Sequence, residues 1–236
     1  MRKLLFTTLL ICSCSFVQNS MASVIQMANT DGSFLLNSNS IDGLFNSDTP
    51  YFTTSDMALV HSTLNNWGVD TDGKVTILPV NTDAGLALLT LVDMELGGGD
   101  IEFDSSIGVT STGSSGLSMF INDADQDNWT LIQPPFGSQT LGATFVWGSL
   151  GSGDGFAWAG FLMGDTVSYT FNDLGADSLS EDAFQFVGWN NDAWEVVATH
   201  GFDSSGTSVF TGIVIPGPSV VAIIGVMGFG YTRRRR

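Results

Sequence analysis

Cysteine is all but missing from this chain. The only two, Cys12 and Cys14, fall within the first 22 residues, so a protein that sheds this stretch has neither a disulfide nor a thiol nucleophile. Positive charge is nearly as scarce. Arg2 and Lys3 open the chain and Arg233 to Arg236 close it, which leaves Lys74 as the one fixed cation between them, among all 24 acidic residues. Such a body has nothing with which to neutralise phosphates, which excludes nucleic acid as a partner. It also disfavours an anionic membrane surface. Cations are attracted instead, because bound calcium or salt relieves repulsion among the carboxylates.

Other absences narrow the chemistry. There are two histidines, His61 and His200, and no serine sits in a G-x-S-x-G elbow. Two histidines without cysteine make a poor zinc site. The glycine clusters at Gly97 to Gly99 and Gly151 to Gly155 lack the lysine or the helix that phosphate-binding loops require. Carboxylates are abundant, yet no spacing among Glu95, Glu102, Glu181 and Glu195 singles out the acid and nucleophile of a glycosidase. The expectation is a non-catalytic protein.

What is present begins at the two ends. Arg2 and Lys3 precede an apolar stretch from Leu4 to Val17, and Ser20 and Ala22 flank Met21. This is the layout of a secretory signal peptide over 1–22, with cleavage after Ala22. Ile11-Cys12-Ser13-Cys14 offers an alternative, a lipoprotein processing site that would place a lipid on Cys14. At the other end, 213–236 form a separate tail. Its uninterrupted apolar run, Val220 to Tyr231, has 12 residues, about 18 Å as a helix at ~1.5 Å per residue, short of a hydrocarbon core of ~30 Å. Counting back to Ile213 gives 19 residues, but Pro216, Gly217 and Pro218 interrupt them. The terminal arginines would remain cytoplasmic and hold the segment during export.

A proline-containing tripeptide, a short apolar helix and a closing arginine cluster resemble the PEP-CTERM sorting signal. The residues that carry the resemblance are Pro216, Gly217, Pro218, Arg233, Arg234, Arg235 and Arg236, with glycine where the family has glutamate. The resemblance covers about the last 22 residues. It implies recognition by an exosortase-type membrane protease in a Gram-negative bacterium, transient inner-membrane association through the tail, and delivery to the cell envelope, cell surface or extracellular matrix. A plain tail anchor is the alternative.

Between the ends lies one acidic domain, 23–212. Short runs that alternate apolar and polar residues, separated by Gly, Asn and Asp turns, predict strands at Lys74 to Leu78, Leu86 to Leu96, Leu117 to Asn122, Trp129 to Gln133 and Ala143 to Trp147. Further strands are predicted at Gly155 to Met163, Val167 to Phe171, Phe184 to Trp189, Trp194 to Thr199 and Ser208 to Ile213. The pattern is that of an all-β, jelly-roll-like sandwich. Asp72-Gly73 and Asp154-Gly155 read as hairpin turns, and Ser105 to Gly116 as a loop. Ahead of the strands, Met57, Val60, His61, Leu64 and Trp67 recur at helical spacing, with Thr54 or Ser55 as cap. One short helix should pack on the sandwich. Residues Ser23 to Tyr51 read as a strand or two with long loops.

Two binding sites are legible. Asp123, Asp125 and Asp127 alternate as in the first half of a calcium-binding loop, although Asn128 and Pro134 stand where such a loop has glycine and glutamate. A solvated acidic turn is the competing reading. In Phe184 to His200, Asn190-Asn191-Asp192 provides a turn between Trp189 and Trp194, which should meet across it. With Trp147 and Trp158 these tryptophans could form a platform on which sugar rings stack, Asn190 and Asn191 bonding the hydroxyls. Burial in the core is the alternative, and Trp189 and Trp194 are the pair expected at the surface. Extracellular polysaccharide is the implied ligand and calcium the implied cofactor. A polysaccharide-active hydrolase or lyase and a self-associating structural subunit stand as alternatives.

Overall fold

The structure, a computed structural model, describes residues 24–44, 53–82, 85–92, 99–108, 118–122, 128–132, 139–147, 154–173, 182–203 and 206–217. Among the described residues the chain is all-β with one helix. In order it forms β1 (Val24–Asn29), β2 (Gly32–Asn37), β3 (Asn39–Ser40), α1 (Thr54–Asn66), β4 (Val75–Thr82), β5 (Gly85–Val92), β6 (Gly99–Gly108), β7 (Ser118–Asn122) and β8 (Asn128–Ile132). There follow β9 (Gln139–Trp147), β10 (Asp154–Phe161), β11 (Thr166–Asp173), β12 (Phe184–Asn190), β13 (Ala193–His200) and β14 (Thr207–Ile215).

Two sheets result. The first has the order β2-β1-β14-β11-β6-β9-β8 and is antiparallel throughout. The second runs β13-β12-β4-β5-β10-β7, with β3 also on β4. In it β12 and β3 pair with β4 in parallel. Both sit on one edge of β4, β12 at Val75 to Ile77 and β3 at Val80 to Asn81.

The period of two explains which sheet lies in the middle. Along β4, β5 and β10, one set of side chains (Val75, Ile77, Leu88, Phe156, Trp158) meets residues of the first sheet such as Met27, Tyr169, Phe171 and Phe210. The alternate set (Leu78, Val80, Ala87, Leu89, Ala157, Ala159) packs against Met57, Val60 and Leu64 of the helix. The second sheet is therefore covered on both faces, and Val75 to Val80 are buried without a break. Alternation fades from these strands because neither face meets water.

The helix starts one residue earlier than the expected Thr54 or Ser55 cap. Thr53 is the cap because Asp56, three residues on, closes a reciprocal box: the Asp56 amide donates to Thr53 Oγ1 at 3.1 Å and the Thr53 amide to Asp56 Oδ2 at 2.9 Å. Met57, Val60, His61 and Leu64 are buried as the spacing predicts.

Each of the ten expected strands coincides with an observed one, while β6 was not anticipated; it takes in Ser105 to Gly108 of the expected loop. Asp154-Gly155 is no turn either. Asp154 pairs with Val92 at the start of β10 and is fully buried, so strand register overrides the local turn preference of the dipeptide. Gly73 does turn, with φ of 65°, but it leads from the helix into β4 rather than joining two strands. The last strand continues to Ile215, opposite Val24, so 213–215 belong to the sheet. Among the described residues no helix is long and apolar enough to cross a membrane. The apolar run Val220 to Tyr231 lies outside the described residues.

In β14, Gly212 admits no side chain. A Cβ there would stand 2.6 Å from Met27 Sδ and 2.8 Å from Val167 Cγ1, so the two flanking strands close over the glycine. Tyr169, in β11, is wholly buried in the core, with the Thr90 side chain of the facing sheet nearby. Burial pushes its hydroxyl well above the ordinary tyrosine value, and Thr90 offsets part of that rise. The folded state thus favours the neutral phenol, and the stability it confers is complete below about pH 10 and declines as pH rises further. In an ultraviolet absorbance titration of the three tyrosines, Tyr169 should ionise only as the protein unfolds, and Tyr169→Phe should lessen the alkaline loss of stability. Reversible ionisation of Tyr169 near pH 10 in the folded state, on the scale of ordinary tyrosines, would contradict this account.

Candidate functional site

The helix ends where its sequence changes from alcohol and amide to Trp67-Gly68-Val69. Gly68 adopts φ of 76°, its amide donates to the Asn65 carbonyl at 2.9 Å, and the Val69 amide donates back to the Leu64 carbonyl at 3.0 Å. These two bonds, with Val69 and Leu64 both buried, form a Schellman end. The left-handed position suits glycine because a Cβ there is strained. Trp67, immediately before it, is thereby held at the rim of the helix layer, 48% exposed.

The second component comes from the β12–β13 hairpin. Trp189 and Trp194 are directly opposed in register, and Asn191 takes a left-handed φ of 55° at the turn. This is the tolerance that the Asn-rich turn offered. The two rings meet edge to face at 5.5 Å, and Trp189 makes a second edge-to-face contact with Trp67 at 5.8 Å. Three tryptophans, from the helix end and the two strands of the hairpin, therefore form one row.

Exposure differs sharply along that row. Trp194 is only 2% exposed, inside the cluster between sheet and helix. The expectation that it shares the surface with Trp189 is thus corrected: the helix layer covers it. Trp189 is half-buried and packs on the edge of the same cluster. Trp158 is fully buried between the sheets, which removes it from any platform; the Trp147 side chain lies outside the described residues. Trp67 takes their place. Its helical spacing pointed to the core, and the signal that it would emerge was the glycine that follows it.

Polar groups fill the turn and the opposite face of the same hairpin. Asn191 Nδ2 donates to Asn190 Oδ1 at 3.1 Å, and Asn190 Nδ2 donates to Glu195 Oε1. Asn190, Asn191, Asp192 and Glu195 are all exposed. The result is a half-open aromatic ledge, Trp67 and Trp189, on one face of a hairpin whose turn carries Asn191 and whose other face carries the pair of Asn190 and Glu195. Chemically it can stack against an apolar ring face and exchange hydrogen bonds with hydroxyls at the rim.

The other sequence candidates are placed as follows. Asp123, Asp125 and Asp127 lie outside the described residues, between β7 of the second sheet and β8 of the first. Among the described residues, no group of three or more His, Cys, Asp or Glu is placed to hold a metal ion. His61 is buried, with Nδ1 2.7 Å from Thr71 Oγ1. His200, at the end of β13, lies with Nδ1 3.3 Å from both Asn29 Nδ2 and the exposed Asp31 carboxylate. Pro216 and Gly217 follow β14 directly, while Pro218 and Arg233 to Arg236 lie outside the described residues. In comparisons with known proteins, no family model, no curated protein and no solved structure matches this chain.

Because the Schellman end holds Trp67, Gly68→Ala should cost about 1 kcal/mol of stability and disturb the coupling between the tryptophans. Urea denaturation reads the first and near-ultraviolet circular dichroism the second. An unchanged aromatic spectrum would mean that Trp67 is not positioned by the cap.

Proposed function

We propose that this is an exported, non-catalytic protein of the cell surface or extracellular matrix of a Gram-negative bacterium, sorted by its PEP-CTERM-like tail and an exosortase-type protease. Its body binds extracellular polysaccharide on the ledge of Trp67 and Trp189. The observation that supports the binding half is the exposure gradient along the three tryptophans. Trp67 and Trp189 present ring surface to water near the Asn191 turn, while Trp194 packs on Trp189 from within the core. A row that served packing alone would have no reason to end in a half-exposed indole, since burial of a tryptophan is itself strongly favourable.

Charge favours a neutral or cation-bridged glycan. With Lys74 as the only cation of the body, a polyanionic chain would be repelled unless calcium lay between. Calcium at Asp123, Asp125 and Asp127 is part of the same proposal, in the stretch that leads from one sheet to the other. The finer architecture proposed is a jelly-roll-like sandwich, supported by the way β5 to β12 pass back and forth between the sheets.

A second reading, self-association, has one observation in its favour. The edge strand β13 carries Val196 and Val197 exposed side by side, since Val197 is the extra residue at a register shift opposite Phe186 and Val187. Unprotected apolar edges pair with other strands.

Binding to a panel of neutral and acidic glycans, measured calorimetrically with and without calcium, distinguishes these readings. Trp67→Ala and Trp189→Ala should each weaken glycan binding roughly tenfold, about 1.4 kcal/mol. Affinity that survives both substitutions removes the ledge, and concentration-dependent self-association without glycan binding favours the edge strand. The intact mass of protein recovered from the native surface or medium tests sorting: loss of 1–22 and of the residues beyond about 216–218 is expected. A mass that still includes Arg236 identifies an anchor instead.

A further inference from the structure

The strands that carry the two ends of the body are neighbours, and they end together. β1 begins at Val24 opposite Ile215, the last residue of β14, so the chain enters from the leader and leaves toward the tail at one end of the first sheet. The turn 162–165 is fastened to the same place. The Gly164 amide donates to the Val214 carbonyl at 2.9 Å and the Val214 amide to the Asp165 carbonyl at 3.0 Å. Within the turn, the Leu162 amide donates to Asp165 Oδ2 at 2.8 Å, and Gly164 takes φ of 88°.

This braced turn presents its two apolar side chains to water. Met163 is 62% and Leu162 48% exposed. Ile213, also exposed, lies next to the strand that the turn leads into, opposite Thr166, while the exposed Leu35 stands farther along the same face beyond Gln26 of β1. Large apolar side chains on a rigid, hydrogen-bonded tip mark a contact surface rather than a fraying loop.

The chain beyond β14 indicates what that surface meets. Only Pro216 to Ser219 separate Ile215 from the apolar run that starts at Val220. Five residue steps reach at most about 18 Å, and an interfacial segment embeds its apolar side by roughly 5–10 Å. A tail held in a bilayer therefore keeps this end of the body against the headgroups. We propose that Leu162 and Met163, with Ile213 of the adjoining strand, form a membrane-contacting tip that seats the body on the lipid surface while the tail is inserted. Repulsion between anionic lipid and the acidic body makes a zwitterionic surface the fitting one. The proposal rests on the reading of the tail as membrane-held.

The test uses the full chain with Cys12→Ser and Cys14→Ser, carrying an environment-sensitive dye on Met163→Cys or, as control, on Asp31→Cys in the turn between β1 and β2 at the far end of the sheet. Each is mixed with phosphatidylcholine vesicles, with and without a lipid-borne quencher, and flotation reports binding separately. The expected result is flotation of both, with a blue shift and quenching at position 163 and neither at position 31. Flotation with no quenching at 163 overturns the tip and leaves the tail reading intact. Failure to float overturns the tail reading and the tip with it. A blue shift at 163 that grows with protein concentration in the absence of vesicles assigns the surface to a second copy of this chain and also overturns the proposal. Unaltered thermal unfolding of the labelled variants establishes that the fold is retained.

Discussion

Everything in this fold follows from the second sheet being covered on both faces. A strand with a wet face needs only its inward residues apolar, whereas β4, β5 and β10 are apolar at consecutive positions. Their polar exceptions have to find partners inside. Thr76 of β4 meets this demand by accepting from the side-chain amide of Gln185 of β12 at 2.7 Å, and the same amide donates to the Asp70 carbonyl at 2.8 Å. The second bond fastens the segment between helix and β4 onto the sheet, and the contact of His61 with Thr71 holds that segment to the helix. The helix is thus an outer layer of the core, and its ends are fixed as firmly as its middle.

That fixity is what turns a hairpin into a candidate site. β12 pairs with β4 only through Phe186, after which β3 takes over the same edge of β4. Released from β4, β12 shifts register against β13 between Phe186 and Val187 and passes close to β2, whose Asn37 amide would stand 3.4 Å from a Cβ on Gly188. Phe34 on Phe186 secures the crossing at 4.8 Å. Beyond it the hairpin brings Trp189 to the end of the helix, where Trp67 is held by its cap. The ledge is the meeting point of two long-range arrangements, the change of partner along β4 and the crossing over β2, with the local cap that holds Trp67.

For that reason its parts were unequally legible. Short apolar-rich runs bounded by Gly, Asn and Asp turns located ten of the strands, and the Asn-rich turn correctly opposed Trp189 to Trp194. Which of the two faces water depends on where the helix lies, and no period in β12 or β13 encodes that. Trp67 was misleading in the opposite way: it continues the apolar spacing of Met57, Val60 and Leu64, yet the helix stops beneath it. β6 was obscured by its composition, as glycine at both ends and serine within resemble a loop until two neighbouring strands supply the pairing. Asp154-Gly155 shows the same override, a turn dipeptide drawn into a strand by Val92 on one side and the Gly155 to Asn122 pairing on the other.

Strand direction links the two surfaces proposed here. β10 and β12 both run parallel to β4, because β10 is antiparallel to β5, β5 is antiparallel to β4, and β12 is parallel to β4. Phe161, which leads into the apolar turn, and Asn190, which leads into the hairpin of the ledge, therefore lie toward the same end of the second sheet. Asp31 and His200 mark the other. A body held down at the turn keeps its ledge near the bilayer, where headgroups compete with any long polymer for space. In the proposed function, removal of the tail would take away that restriction and open the same end to the matrix. Sorting and binding would then be successive states of one molecule, with the four residues between β14 and the apolar run setting the distance that separates them.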